Sequence, residues 1–131
     1  PWEPMEENTL ADSIAVGVPR NAEKALMAIR ESGGLTVNVT DEEIMAAQQL
    51  LGRTCGVFGE PAGVPGTAGV KKLCEAGKIG RDDTVVSVVT GNGLKDVANA
   101  IAACGDPITI PSDMNRLLAA FAGKGIGAEG V

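Results

Sequence analysis

The sequence contains no histidine and no tyrosine, and its 2% aromatic content comes down to Trp2, Phe58 and Phe121. Without histidine, the commonest general base, the serine-type triad and most zinc sites drop out together. Cysteine is sparse too. Cys55, Cys74 and Cys104 are an odd set with no C-x-x-C, which fits neither zinc ligation nor a disulfide framework. They read as reduced core fillers in a cytoplasmic protein, and no metal site is expected. The formal net charge is -6 and no Lys/Arg cluster exceeds the pair Lys71 and Lys72, so no nucleic acid partner is expected. No stretch reaches the roughly 18 apolar residues of a membrane span. The opening PWEPMEEN is acidic where a signal peptide is basic, and a start without methionine points to a piece cut from something longer.

What is present is aliphatic. With 44% hydrophobic and 21% charged residues, 131 residues suffice for one compact domain or part of a larger one. A core drawn from Val, Ile, Leu, Ala and Met suits helices packed on a parallel sheet, so the fold class reads as α/β. In PRNAEKALMAIRESGG, Pro19 suits a first helical turn, Ala22, Ala25, Leu26 and Ile29 recur at helical spacing, and Gly33 with Gly34 supplies the stop. Leu35 to Val39 alternates as a short strand, and Thr40 to Glu43 has capping-box spacing for a helix carrying Ile44, Ala47, Leu51 and Thr54, fraying at Gly52 or ending by Gly56. A further helix within VPGTAGVKKLCEAGK turns Val70, Leu73 and Cys74 to a core before Gly77.

Thr84 to Thr90 (TVVSVVT) reads as a central strand buried on both faces. The next helix places Leu94, Val97, Ala98 and Ile101 on one face and stops at Gly105; a last one follows a Ser112 cap with Leu117, Leu118 and Phe121. Residues 1–8 and 124–131 are expected to fray. Two strand-to-helix units imply a parallel sheet, but two or three strands make an incomplete doubly wound domain.

Two stretches can carry chemistry. At the end of a buried parallel strand, the turn into the next helix opens on the crevice where α/β sheets bind ligands, and Thr90 to Gly93 sits there. Gly91 and Gly93 permit close backbone approach, Asn92 tolerates a left-handed conformation, and the Thr90 hydroxyl both donates and accepts. GNGLKD completes neither G-x-G-x-x-G nor G-x-x-x-x-G-K-[ST], which disfavours a phosphate cradle. On pattern alone a plain tight turn is the simpler reading. In GEPAG, Glu60 stands before a proline that opens a helix and reads most simply as an N-terminal cap. Asp41, Glu42, Glu43, Lys71 and Lys72 read as solvated helix faces.

The order TLADSIAVGVPRN, SGG, VTDEEI, GVFGEPAG, AGVKKL and TGNGLKD, from about Thr9 to about Ile101, resembles the carboxyl-terminal part of the threonine synthases. These are pyridoxal-phosphate enzymes of the fold-type II, tryptophan-synthase-β-like group. TGNGLKD after a buried strand is the most specific element; EPAG is shared with serine and threonine dehydratases. The resemblance implies that residues 1–131 are the carboxyl-terminal portion of the large domain, part of a doubly wound parallel sheet flanked by helices. It also implies that the cofactor is pyridoxal phosphate, with the Thr90 hydroxyl on the pyridine nitrogen. Gly91, Asn92 and Glu60 join Thr90 as cofactor-binding residues, Glu60 to Gly63 line the pocket, and TLADSI passes near its entrance.

The family's Schiff-base lysine and phosphate loop lie upstream. None of the six lysines, Lys24, Lys71, Lys72, Lys78, Lys95 and Lys124, occupies the catalytic lysine's position. No catalytic residue is therefore assigned to this chain. The implied parent is a cytoplasmic homo-oligomer converting O-phosphohomoserine and water to L-threonine and phosphate. This chain would supply one wall of its cofactor site, inactive without the amino-terminal part. Another fold-type II enzyme, a dehydratase or cysteate synthase, remains open, as does a non-catalytic α/β binding or assembly module.

Overall fold

The computed structural model describes residues 3–105 and 107–123; the expected fraying at 124–131, and at the first two residues of 1–8, lies outside these. Helices form where the pattern places helical faces, and local signals set most of their ends. α1 (Ala22–Ser32) starts after Asn21, leaving Pro19 outside the first turn. It stops at Gly33, whose φ of 65° is left-handed, with the Gly34 amide returning to the Ile29 carbonyl at 2.8 Å.

α2 (Asp41–Cys55) opens on the expected capping box: Thr40 Oγ1 accepts from the Glu43 amide at 3.3 Å and Glu43 Oε2 from the Thr40 amide at 2.8 Å. It runs through Gly52 without interruption and ends at Gly56, φ 66°. α3 (Pro65–Glu75) begins on its proline. α4 (Val97–Cys104) is capped by Asp96, which accepts from the Asn99 amide at 3.1 Å. α5 (Met114–Gly123) follows Asp113, not Ser112: Asp113 Oδ1 accepts from the Arg116 amide at 2.9 Å.

α2 is the centre of the packing, with α3 on one contact and α4 on another. Its buried positions Ile44, Ala47 and Gln48 are one helical face. The core joins Ile44 to Ala11, Ala62 and Val64, edged by Leu10, Val39, Leu51 and Val89. On α3 the buried residues are Ala68 and Gly69, while Val70 and Leu73 are half-buried and Cys74 is exposed. All three cysteines are exposed thiols, so none fills a core here. The charged groups are not all solvated either. Lys72 Nζ pairs with Glu43 Oε1 at 2.8 Å across α2 and α3, and half-buried Asp41 takes the Thr9 hydroxyl at 2.6 Å and the Leu10 amide at 3.0 Å.

The sheet is where the structure departs from expectation. Among the described residues there is no strand ladder; Leu35 to Val39 and Thr84 to Thr90 are unpaired, and a single antiparallel bridge joins Gly59 and Asn92. Both segments instead rest on α3. A methyl group at Gly69 would stand 3.1 Å from Val37 Cγ1, and Ser87 Oγ lies 3.1 Å from Thr67 Oγ1. A ladder needs a hydrogen-bonded neighbour about 4.8 Å away, and among the described residues each segment has a helix beneath it but no backbone hydrogen bonds to a neighbouring segment. Hence Val86 and Val88, expected on buried faces, are 85% and 72% exposed. Leu94, expected on the same helix, lies in the Gly93–Lys95 turn before α4, and it points outward with Val97, Ala98 and Ile101 of α4; α4 meets α2 near half-buried Ala103, whose carbonyl accepts from Gln49 Nε2 at 2.5 Å. No helix among the described residues is long and apolar enough to cross a membrane.

The chain exposes 10075 Å², against about 6,500 Å² for a compact protein of its mass. Uncovered apolar area is worth about 25 cal/mol per Å² when buried. The isolated chain is therefore expected to self-associate or to melt without cooperativity, as read by analytical ultracentrifugation and calorimetry, and Val86→Lys with Val88→Lys to reduce the association. A cooperatively melting monomer would contradict this.

The Glu43 carboxyl is held below the usual carboxylate range, first by its hydrogen bond with Lys72 and then by the Thr40 amide. A depressed folded value gives stability that is present above the ordinary value of 4.5 and lost as pH falls through the folded one. Circular dichroism of an acid titration is expected to show helix loss in that window, with the component missing in Glu43→Gln.

Candidate functional site

The residues singled out in the sequence meet where two arms of chain cross. One is Phe58 to Gly63, leaving α2; the other is Thr90 to Lys95, entering α4. The Glu60 amide donates to the Gly91 carbonyl at 2.9 Å and the Gly93 amide to the Phe58 carbonyl at 2.8 Å, on either side of the Gly59–Asn92 bridge. Two glycines make this closeness possible. A methyl group at Gly91 would stand 1.9 Å from Glu60 Oε1, and one at Gly93 2.6 Å from the Phe58 ring. Their small size thus serves contact between the arms, whereas the sequence suggested a tight turn or closeness to a ligand. Asn92 is not left-handed: it is extended at φ -80°, ψ 141°, and its Oδ1 caps the short turn Gly93–Lys95 by accepting from the Leu94 amide at 2.9 Å.

Glu60 does not cap the Pro61–Gly63 turn that follows it, since its side chain makes no cap hydrogen bond there. It is 4% exposed, and its Oε1 pairs with Lys95 Nζ at 3.2 Å. Burying a carboxylate costs several kcal/mol unless it is paired, so the ammonium contributes directly to the local fold. Lys95 Nζ also donates to Ser13 Oγ at 3.4 Å. That contact brings in the Asp12–Ile14 turn of TLADSI, which packs on Pro61–Gly63. Three segments far apart in sequence therefore meet at Glu60.

Thr90 is exposed, and its hydroxyl makes no hydrogen bond among the described residues. It stands beside the clamp with free donor and acceptor capacity. The sequence reading brought Thr90, Gly91, Asn92 and Glu60 forward and the structure brings all four together; it missed Lys95, Ser13 and Gln48. Gln48 Nε2 holds the Gly59 carbonyl at 2.7 Å, and the helical spacing Ile44, Ala47, Gln48, Leu51 was the available signal, a glutamine on a core stripe. Its Oε1 is buried without a partner among the described residues. A groove between α2 and α4, lined by Gln49, Arg53, Phe58 and Cys104, includes none of the four candidate residues. Among the described residues no cluster of three His, Cys, Asp or Glu could hold a metal ion.

The family model described as pyridoxal-phosphate dependent enzyme matches residues 2–91. Curated relatives include the threonine synthase of Methanosarcina acetivorans, 48% identical over 121 residues, covering 91% of this chain and 30% of the relative. That of Methanocaldococcus jannaschii is 53% identical over 109 residues, 83% of this chain and 27% of the relative. That of Halalkalibacterium halodurans is 43% identical over 114 residues, 86% and 32%. The chain thus spans about 30% of the length of the curated relatives it matches.

Overpacking a close contact costs about 1–3 kcal/mol. Gly91→Ala is expected to speed hydrogen exchange of the Glu60 and Gly93 amides by about tenfold or more, and Glu60→Ala added to it to recover most of the protection. Equal exchange in Gly91→Ala and wild type would mean that the arms do not cross this tightly.

Proposed function

The chain belongs to the pyridoxal-phosphate dependent enzyme family, and on that premise we propose that it is part of a threonine synthase, converting O-phosphohomoserine and water to L-threonine and phosphate. In this reading residues 1–131 are the carboxyl-terminal portion of the large domain of a cytoplasmic homo-oligomer. The exposed, free thiols of Cys55, Cys74 and Cys104 fit a reducing compartment. The observation that carries the reading is the Thr90 hydroxyl, without a partner among the described residues and beside the crossed arms, in a chain 48% identical to a threonine synthase over 121 residues.

The residues present fit the cofactor's edge. Thr90 offers a neutral hydroxyl with no partner among the described residues, and the Gly91 backbone that follows is braced by Glu60. When bound, pyridoxal phosphate supplies an electron sink for carbanion chemistry. Thr90 would donate to the pyridine nitrogen, which leaves that nitrogen unprotonated and moderates the sink. Glu60 to Gly63 would line the pocket beside it. No lysine of this chain is assigned to the cofactor's carbonyl carbon, so the chain alone is expected to be inactive, with the missing groups supplied by the amino-terminal part.

Mixing the chain with the amino-terminal part of a threonine synthase and pyridoxal phosphate is expected to give a protein-bound cofactor absorption band and phosphate release from O-phosphohomoserine. Ammonia release from threonine without phosphate release would instead indicate a dehydratase. Neither activity would leave a binding or assembly module. Thr90→Val is expected to retain the bound cofactor, shift its absorption and slow turnover about tenfold, the worth of one hydrogen bond. If both spectrum and rate are unchanged, Thr90 does not touch the ring.

A further inference from the structure

We propose that Lys95 is a positioning residue for the Thr90–Gly91 turn, acting through the Glu60 carboxylate; its consequence for the cofactor rests on the reading of Thr90 above. The Glu60 carboxylate occupies the space that a side chain at position 91 would fill, with Oε1 at 1.9 Å from the place of a Gly91 Cβ. The backbone leaving Thr90 therefore lies on that carboxylate. Two main-chain hydrogen bonds hold the arms together there, Glu60 amide to Gly91 carbonyl at 2.9 Å and Gly93 amide to Phe58 carbonyl at 2.8 Å. The third tie is the ion pair of Lys95 with Glu60 at 3.2 Å, the one salt bridge that Glu60 makes among the described residues.

The pair is asymmetric. The Glu60 side chain is 6% exposed and that of Lys95 62%, so the ammonium keeps much of its hydration while the carboxylate loses nearly all of its own. Without Lys95, a buried carboxylate is left uncompensated, which costs more than the pair contributes when intact. The carboxylate must then swing toward solvent, and that removes the floor beneath Gly91. Lys95 lies in the Gly93–Lys95 turn of the very arm whose start it braces, and its second contact, Ser13 Oγ at 3.4 Å, fixes the ammonium from the TLADSI side. The Thr90 hydroxyl has no protein partner of its own among the described residues, so its position is set by the backbone on which it stands.

Neutralising Glu60 is therefore expected to relieve the loss of Lys95. Hydrogen–deuterium exchange of the Glu60 and Gly93 amides in the full 131-residue chain, read by mass spectrometry, tests this without cofactor. Lys95→Met is expected to speed both amides about tenfold, a figure tempered by the exposure of the lysine. Lys95→Arg should exchange like wild type, and Glu60→Gln with Lys95→Met should return most of the protection. Unchanged exchange in Lys95→Met overturns the proposal, as does a double variant as fast as Lys95→Met, which would assign the effect to the lysine's methylene stem. In the chain complemented with the amino-terminal part, Lys95→Met is expected to shift the cofactor absorption in the direction of Thr90→Val. A spectrum that responds to Thr90→Val and ignores Lys95→Met also overturns the proposal. A spectrum that ignores Thr90→Val instead overturns the Thr90 reading, and the exchange result still decides whether Lys95 holds the turn.

Discussion

The candidate site depends on one close approach, the carboxylate of Glu60 pressed against the α-carbon of Gly91. Any side chain at position 91 would push the Phe58–Gly63 arm off the Thr90–Lys95 arm, and the paired main-chain hydrogen bonds between them would lengthen together. A carboxylate is an expensive group to put at such a contact, because it arrives stripped of water. Lys95 is what makes it tolerable. The site is thus organised around a buried charge, its counter-ion and the glycine that leaves room for both.

α2 supplies the frame for that arrangement. Gln48 holds the Gly59 carbonyl, Gln49 holds the Ala103 carbonyl at the end of α4, and Asp41 receives Thr9 and Leu10. Asn99 on α4 adds a bond to the Leu10 carbonyl at 3.3 Å and another to the Asp96 carboxylate at 2.7 Å. A single helix therefore ties the TLADSI segment, the GEPAG arm and the helix after TGNG. These ties use polar side chains against main-chain groups. They fix direction as well as distance, which apolar packing of Ile44, Ala62 and Val64 alone would leave loose.

The sequence made legible what local chemistry decides. The TDEE capping box, the glycine stops at Gly33 and Gly105 and the helical stripe of α2 could be read because their partners lie within a few residues. The grouping of Thr90, Gly91, Asn92 and Glu60 was legible through the motifs that carry the resemblance. What joins them was not. Lys95 to Glu60 spans 35 positions and Lys95 to Ser13 spans 82, and no periodicity encodes a pairing at that range. The cap reading of Glu60 failed for the same reason, since the competing partner lay outside its neighbourhood. Asn92 shows a different limit: its residue type permits a left-handed turn, but the bond from the Leu94 amide to its side chain secures the turn in an extended conformation.

The lack of a strand ladder among the described residues follows from the same distinction between near and far. Each helix closes its hydrogen bonds within its own segment, so it can form whatever else is absent; a strand cannot, because every bond it makes belongs jointly to a neighbour. Val37 and Ser87 rest on α3, which shows that the layer of segments against helix persists where the pairing between segments does not. The crossed arms occupy the end of one such segment, immediately after Thr90. Among the described residues their geometry is held by Gln48, Glu60 and Lys95, with the Gly59–Asn92 bridge as the one strand-like pairing. A turn secured in this way can keep its shape while the segment leading into it gains neighbours, because the two sets of hydrogen bonds use different residues.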